Sequence, residues 1–258
     1  MPSESELEKF NQSYWEDVQT ASEKDREFHY VQSLYRVKYL KSHLENVENM
    51  KILDIGAGGG YIYDVLKANN DNVNFSAVEA DLNMQEELRK KGVKNVYLTW
   101  QAIHETDFDM ITLSHVIEHF AEPLKYLKEI KKLLKRNGYI FVEVPNQDDF
   151  FKTFFGAHLI FFNEVALKRL FEELEMRIID IVTVGENIEN INKSKVKKFV
   201  KRKFPPAAKL AEFYGKKTSE VKTSEKDFVK AYRLDEFNNN GRWLRIIAQD
   251  FLISNVEN

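Results

Sequence analysis

Four of the ten glycines in this 258-residue chain fall within five positions, at Gly56, Gly58, Gly59 and Gly60. Glycine enters left-handed backbone without a side-chain penalty, so such a cluster marks a place where the chain turns tightly or lets a ligand approach its backbone. The cluster follows the short apolar run 51–55, which ends on Asp54 and Ile55, and precedes the helix-compatible stretch 61–68. It reads as a strand running through a glycine turn into a helix. Any fold for this chain has to hold that unit.

The rest of the chain repeats the alternation. Strand-like runs at 75–79, 96–98, 110–114, 139–144 and 178–184 are separated by helical stretches at 82–91, 123–134 and 163–174. Gly92 reads as a helix stop, Asn163 as a helix cap, and Asn137-Gly138 as the end of the helix that Pro123 opens. Strands alternating with helices at this spacing imply βαβ units on a mostly parallel sheet. The expectation is a doubly wound α/β fold, with a seven-stranded sheet and helices on both faces.

Two stretches fall outside the pattern. Residues 1–47, with Tyr14, Trp15, Phe28, Tyr30, Leu34, Tyr35, Val37 and Leu40, read as an N-terminal helical cap. Residues 48–258 then form one main domain, in which 186–240 is a polar, basic, partly helical insert before strand-like composition returns at 243–247 and 251–253.

Composition narrows the function classes. A chain that is 43% hydrophobic can build a core, and the absence of cysteine excludes disulfides, thiol nucleophiles and thiolate zinc sites. With no stretch near the roughly 20 apolar residues of a membrane helix and no signal-like N-terminus, the expectation is a cytoplasmic protein without a membrane partner. The net charge of −3 conceals a run of ten Lys/Arg and one Glu at 193–217. That run either attracts phosphate-bearing partners or forms a solvated helix face behind Val196, Phe199 and Val200.

Counted from Gly56, the sixth position of a dinucleotide fingerprint is Tyr61 rather than glycine, whereas a D-x-G-x-G-x-G pattern fits fully. Glu79 ends the second strand-like run 19 residues after Gly60, where a carboxylate can take both hydroxyls of a ribose. The run Ile52-Leu53-Asp54-Ile55-Gly56-Ala57-Gly58-Gly59-Gly60 resembles the first motif of the class I S-adenosylmethionine-dependent methyltransferases, and Ala77-Val78-Glu79-Ala80-Asp81 resembles their second. Phe108-Asp109-Met110-Ile111 with Ser114-His115-Val116-Ile117-Glu118-His119 is similar to the family's fourth-strand region. Leu133-Leu134-Lys135-Arg136-Asn137-Gly138-Tyr139-Ile140 matches the next landmark, with Arg-Asn-Gly where Pro-Gly-Gly is usual. Val144-Pro145-Asn146 and His158…Phe162-Asn163 resemble the subgroup near the ubiquinone-biosynthesis and sugar methyltransferases. The resemblance covers about 51–184.

That resemblance implies S-adenosylmethionine as cofactor. Gly56, Ala57 and Gly58 would face its methionine part, with Asp54 orienting the loop or meeting the amino group. Glu79, followed by Ala80, would hold the ribose, and Trp100 and Gln101 would stand at the adenine. Ser114 and His115 would complete the site beside the fourth strand. Arg36 resembles an arginine that pairs with the cofactor carboxylate in ubiquinone-type enzymes, a task suited to guanidinium; read on its own it is an exposed helix arginine.

Methyl transfer needs the acceptor lone pair held about 3–3.5 Å behind the methyl carbon, and a hydroxyl acceptor usually needs a base. Without cysteine the candidates are His119 first, His158 second, and Glu118 beside them, each histidine having a hydrogen-bonded structural role as its alternative. A lone Glu-His pair does not specify a metal site, and none is assigned. The aromatic run Phe150, Phe151, Phe154, Phe155, Phe161 and Phe162 reads as core and lid packing rather than a prenyl pocket. The expected partner is a polar, anionic small molecule, phosphorylated or nucleotide-linked, recognised by the basic run and the polar turn Asn146-Gln147-Asp148. RNA methylation, and a non-catalytic or NAD-type nucleotide-binding protein, stand as alternatives; the overall negative charge counts against nucleic acid.

Overall fold

The computed structural model describes residues 23–69, 71–147, 158–187 and 241–251. Positions 1–22 of the expected cap, 188–240 of the expected insert, the basic run, Asp148, Phe150, Phe151, Phe154, Phe155 and 252–253 lie outside the described residues. Helix α1 (Glu23–His43) leads into β1 (Lys51–Ile55), α2 (Tyr61–Ala68), β2 (Asn74–Val78), α3 (Leu82–Lys91) and β3 (Asn95–Tyr97). The chain continues through β4 (Phe108–Ser114), α4 (Pro123–Lys131), β5 (Leu134–Pro145), α5 (Glu164–Glu173), β6 (Arg177–Asn187) and β7 (Gly241–Gln249).

These strands form one seven-stranded sheet in the order β3-β2-β1-β4-β5-β7-β6. The pairs from β3 through β5 are parallel, and β7 runs antiparallel between β5 and β6. The order reverses between β1 and β4, and a doubly wound sheet leaves its crevice at the carboxyl ends of the strands on either side of such a point. The expected architecture is therefore the one observed.

Alternation along the strands divides the core between two faces. Ile52, Met110, Phe141 and Ile247 pack against Val37, Tyr39 and Leu40 of α1, Ile62, Val65 and Leu66 of α2, and Leu88 of α3. Their neighbours Leu53, Ile111, Ile140, Val142 and Ile246 face Tyr126, Leu127 and Ile130 of α4 and Leu167 and Phe171 of α5. The i, i+3, i+4 spacing of these helical residues gives each helix one apolar stripe, and each fully buried side chain contributes roughly 1.5–3 kcal/mol. Two helix ends expected from sequence hold: Gly92 ends α3 at φ 103°, and the Asn163 side chain accepts from Ala166 N at 2.8 Å to cap the start of α5.

The boundary between α4 and β5 differs from the expectation. The helix expected over 123–134 ends at Lys131, and β5 begins at Leu134, taking in Asn137 and Gly138. Phe108 N donates to Leu133 O at 3.0 Å and Leu134 pairs with Phe108, so pairing with β4 overrides the helical propensity of the Leu-Leu-Lys-Arg stretch. A Cβ at Gly138 would lie 2.9 Å from both Lys135 O and Phe108 O, which leaves room only for glycine.

Candidate active site

The turn after β1 is left-handed at Gly56, Gly58 and Gly60, with φ of 71°, 52° and 75°. Gly56 N and Ala57 N both donate to Val78 O, at 2.9 and 3.1 Å, which fastens the loop to the end of β2. A Cβ on Gly56 would meet Val116 Cγ2 at 2.5 Å, so the loop packs directly on the turn after β4. Among the described residues, a Cβ on Gly58 would meet nothing within 4 Å. The loop is thus crowded at one glycine and open at the next.

β2 ends at Val78, one residue earlier than expected, and Glu79 begins the turn. Its carboxylate accepts from Gly58 N at 2.6 Å and Asp81 N at 2.9 Å. Burial raises the Glu79 pKa despite these donors. Asp54 lies buried beside Thr112 of β4, whose hydroxyl donates to it at 2.7 Å. Desolvation outweighs this bond and the field of Arg36, and pushes the Asp54 carboxyl up to about 7.

A second group of charges runs from β7 across the strand ends. Glu143 of β5 is fully buried and takes Arg36 Nε and Nη2 on Oε1, at 2.9 and 2.5 Å, and Arg245 Nε on Oε2 at 2.5 Å. Burial alone would raise the Glu143 carboxyl, but Arg36, Arg245 and His115 hold it well below the usual carboxylate range. His115, at φ 59°, stands between two carboxylates, with Nε2 3.4 Å from Glu143 Oε1 and Nδ1 3.4 Å from Glu118 Oε1. Burial works against the imidazolium, yet these two acids raise its pKa.

Glu118 is 1% exposed, and among the described residues neither carboxylate oxygen has a hydrogen-bond partner. Its backbone carbonyl accepts from Leu159 N and Ile160 N, at 2.8 and 3.2 Å, which brings His158 alongside the turn Ile117–His119. His158 Nε2 then lies 4.0 Å from Glu118 Oε1, and the His119 and His158 rings meet edge to face at 5.0 Å. Glu118, His119 and His158 each offer one ligand atom within 4.8 Å of the others, a spacing a cation could span.

The structure thus joins Arg36, His115, Glu118, His119 and His158 through a chain of contacts, and joins Asp54, Gly56, Ala57, Gly58 and Glu79 around the glycine turn. Arg36 is buried, not an exposed helix arginine. Ser114 ends β4 with its hydroxyl buried and without a hydrogen-bond partner among the described residues. Ala80 is exposed in the turn after β2. Trp100 lies edge-on to Tyr126 and packs with the α4 face of the core, while Gln101 is exposed. Leu82 and Leu98, which sequence reading passed over, expose apolar side chains after β2 and β3. Glu143 and Arg245 were also passed over, although a signal was present: each is the single charge in an apolar run, 139–144 and 243–247, and buried charges come in pairs.

Residues 27–181 match the family model described as a methyltransferase domain. A ubiquinone biosynthesis O-methyltransferase of Hydrogenovibrio crunogenus is 26% identical over 154 residues, which cover 56% of this chain and 61% of that protein. Matches to such curated relatives cover 53% and 61% of their length. Among solved structures, the plantazolicin methyltransferase BpumL in complex with SAH superposes with a TM-score of 0.59 at 12% identity, over 95% of both chains. A possible histamine N-methyltransferase of Thermotoga maritima gives 0.52 at 19% identity, over 95% of this chain and 98% of that one. At these identities the structural likeness is one of fold.

Proposed function

This chain belongs to the class I S-adenosylmethionine-dependent methyltransferase family, and from that membership we propose that it methylates an oxygen or nitrogen of a polar, anionic small molecule. The observation that carries the reading is the group His119, His158 and Glu118 just past the carboxyl end of β4, one turn from the glycine loop.

The residues present suit the cofactor. Open space beside Gly58 leaves room for a ligand against the loop, and Glu79 carries a carboxylate that hydroxyls can share with Gly58 N. The Arg36 fork suits the carboxylate of an amino acid, and the Ser114 hydroxyl is a buried group awaiting a partner. Leu82 and Leu98 offer apolar surface for a purine, with Gln101 available to its edge. When bound, S-adenosylmethionine supplies a methyl group activated on a sulfonium.

The chain's own contribution is to hold and deprotonate the acceptor. His119 is the first candidate to take the proton of a hydroxyl, with His158 the second and Glu118 alongside both; an amine acceptor needs no base. The word O-methyltransferase in the names of the curated relatives supports an oxygen acceptor. The excess positive charge at 193–217 supports an anionic one.

The same basic run supports RNA methylation as a second reading. A screen for S-adenosylhomocysteine release, with phosphorylated hydroxyl compounds, phosphorylated amines, nucleotide sugars and total RNA offered in parallel, separates the two. The reading expects turnover on a small molecule and none on RNA. For a hydroxyl acceptor, His119→Ala should lower kcat about 10²- to 10⁴-fold. Turnover confined to RNA would overturn the small-molecule reading.

A further inference from the structure

Glu143 and Arg245 face each other across the β5–β7 pair, and neither has a role in the chemistry described so far. Arg245 is 1% exposed and Glu143 0%, and Arg36 reaches the same carboxylate from α1 at 6% exposure. Two guanidinium groups therefore share one carboxylate inside the protein, so this hydrogen-bonded group of three carries one more positive than negative charge. Among the described residues, Arg245 Nη2 has no hydrogen-bond partner, and Arg36 Nη1 has only a 3.4 Å contact with Ser33 Oγ. Asp54 offsets the excess only in part, because burial raises its pKa to about 7.

A buried cation without a counter-ion is costly, so the arrangement is incomplete until an anion joins it. With Arg36 alone, Glu143 would form a neutral pair, and an incoming carboxylate would meet the repulsion of Glu143 without compensation. Arg245 changes this by holding Oε2. It pins Glu143 on the side away from Arg36 and leaves the Arg36 fork with net attraction for a carboxylate.

We propose that Arg245 is a positioning residue for the cofactor: acting through Glu143, it keeps Arg36 oriented, with its charge not cancelled by Glu143, to receive the carboxylate of the cofactor's amino-acid end. The proposal rests on the reading of Arg36 given above. No contact of Arg245 with the cofactor is required.

The test compares the affinities of S-adenosylmethionine and its decarboxylated analogue, which lacks only the carboxylate, by calorimetry on the full chain. Arg245→Gln keeps a hydrogen-bonding group and loses the charge. It should weaken S-adenosylmethionine about 10- to 100-fold, the size expected for removing a nearby charge in a partly screened interior, and change the analogue less than twofold. Arg245→Lys, which restores the charge, should stay within threefold of the parent for both ligands. Equal losses for both ligands in Arg245→Gln, or no loss for either, would overturn the proposal. If Arg245→Gln does not fold by circular dichroism, Arg245→Lys decides: a tenfold selective loss of S-adenosylmethionine despite the retained charge would overturn it. Arg36→Gln separates the two claims. A selective loss there with none in Arg245→Gln removes only the role of Arg245, whereas no loss in Arg36→Gln removes the reading of Arg36 as well.

Discussion

Replacing Asp54 with asparagine should change how stability depends on pH. The Asp54 carboxyl is 2% exposed, and its pKa is raised from an ordinary 3.8 to about 7, chiefly by desolvation. The folded state therefore holds a proton that the unfolded state has released at every pH between those values. A raised folded pKa gives stability that is fully present below pH 3.8 and is lost as pH rises towards 7. The full difference amounts to about 4 kcal/mol, of which roughly 3 kcal/mol falls between pH 5 and pH 8. The substituted amide would not titrate, and its oxygen could still accept the Thr112 hydroxyl, so packing and that bond should survive. Urea denaturation of the cofactor-free protein at pH 5, 6, 7 and 8 reads the effect. Groups common to both proteins cancel in the difference, and the advantage of Asp54→Asn should grow by about 3 kcal/mol across the range. Parallel stability curves, or an advantage that shrinks with rising pH, would refute the assignment of desolvation as the dominant influence on Asp54.

Two further outcomes follow from the geometry of the glycine loop and of α1. Gly56→Ala should cost about 2–4 kcal/mol in urea denaturation, because left-handed strain adds to the collision with Val116, whereas Gly58→Ala should cost only about 1–2 kcal/mol; equal costs would mean that the Val116 contact does not matter. Tyr39→Phe removes the hydroxyl that donates to Asp180 at 2.8 Å, and should lower stability by about 1 kcal/mol while leaving S-adenosylhomocysteine affinity unchanged in calorimetry.

What could be read in the chain depended on how local the signal was. The glycine turn, the apolar strands around it, the stop at Gly92 and the cap at Asn163 are decided within a few residues, and residue type with periodicity was enough to find them. The end of α4 was not, because β5 begins at Leu134 only through its pairing with Phe108, 26 residues away. The same holds for the site. Asp54, Gly56, Gly58 and Glu79 lie at strand ends that sequence marks, and the structure gathers them around one turn. The partnership of Arg36 with Glu143 spans 107 residues and that of Glu143 with Arg245 spans 102, so no local pattern links them. The single charges in the runs Tyr139-Ile140-Phe141-Val142-Glu143-Val144 and Trp243-Leu244-Arg245-Ile246-Ile247 were the only trace. His158 joins Glu118 through backbone bonds to Leu159 and Ile160, which side-chain chemistry alone does not announce.

The central claim is that the glycine loop and Glu79 form the site for S-adenosylmethionine. Calorimetric titration of S-adenosylhomocysteine into the parent chain and Glu79→Ala, with NAD as the comparison ligand, tests it most directly. The account predicts binding in the micromolar range to the parent, at least tenfold weaker binding to Glu79→Ala as hydrogen bonds to a charged group are lost, and no heat from NAD. Equal affinity of Glu79→Ala and parent, no binding to the parent, or a preference for NAD would contradict it.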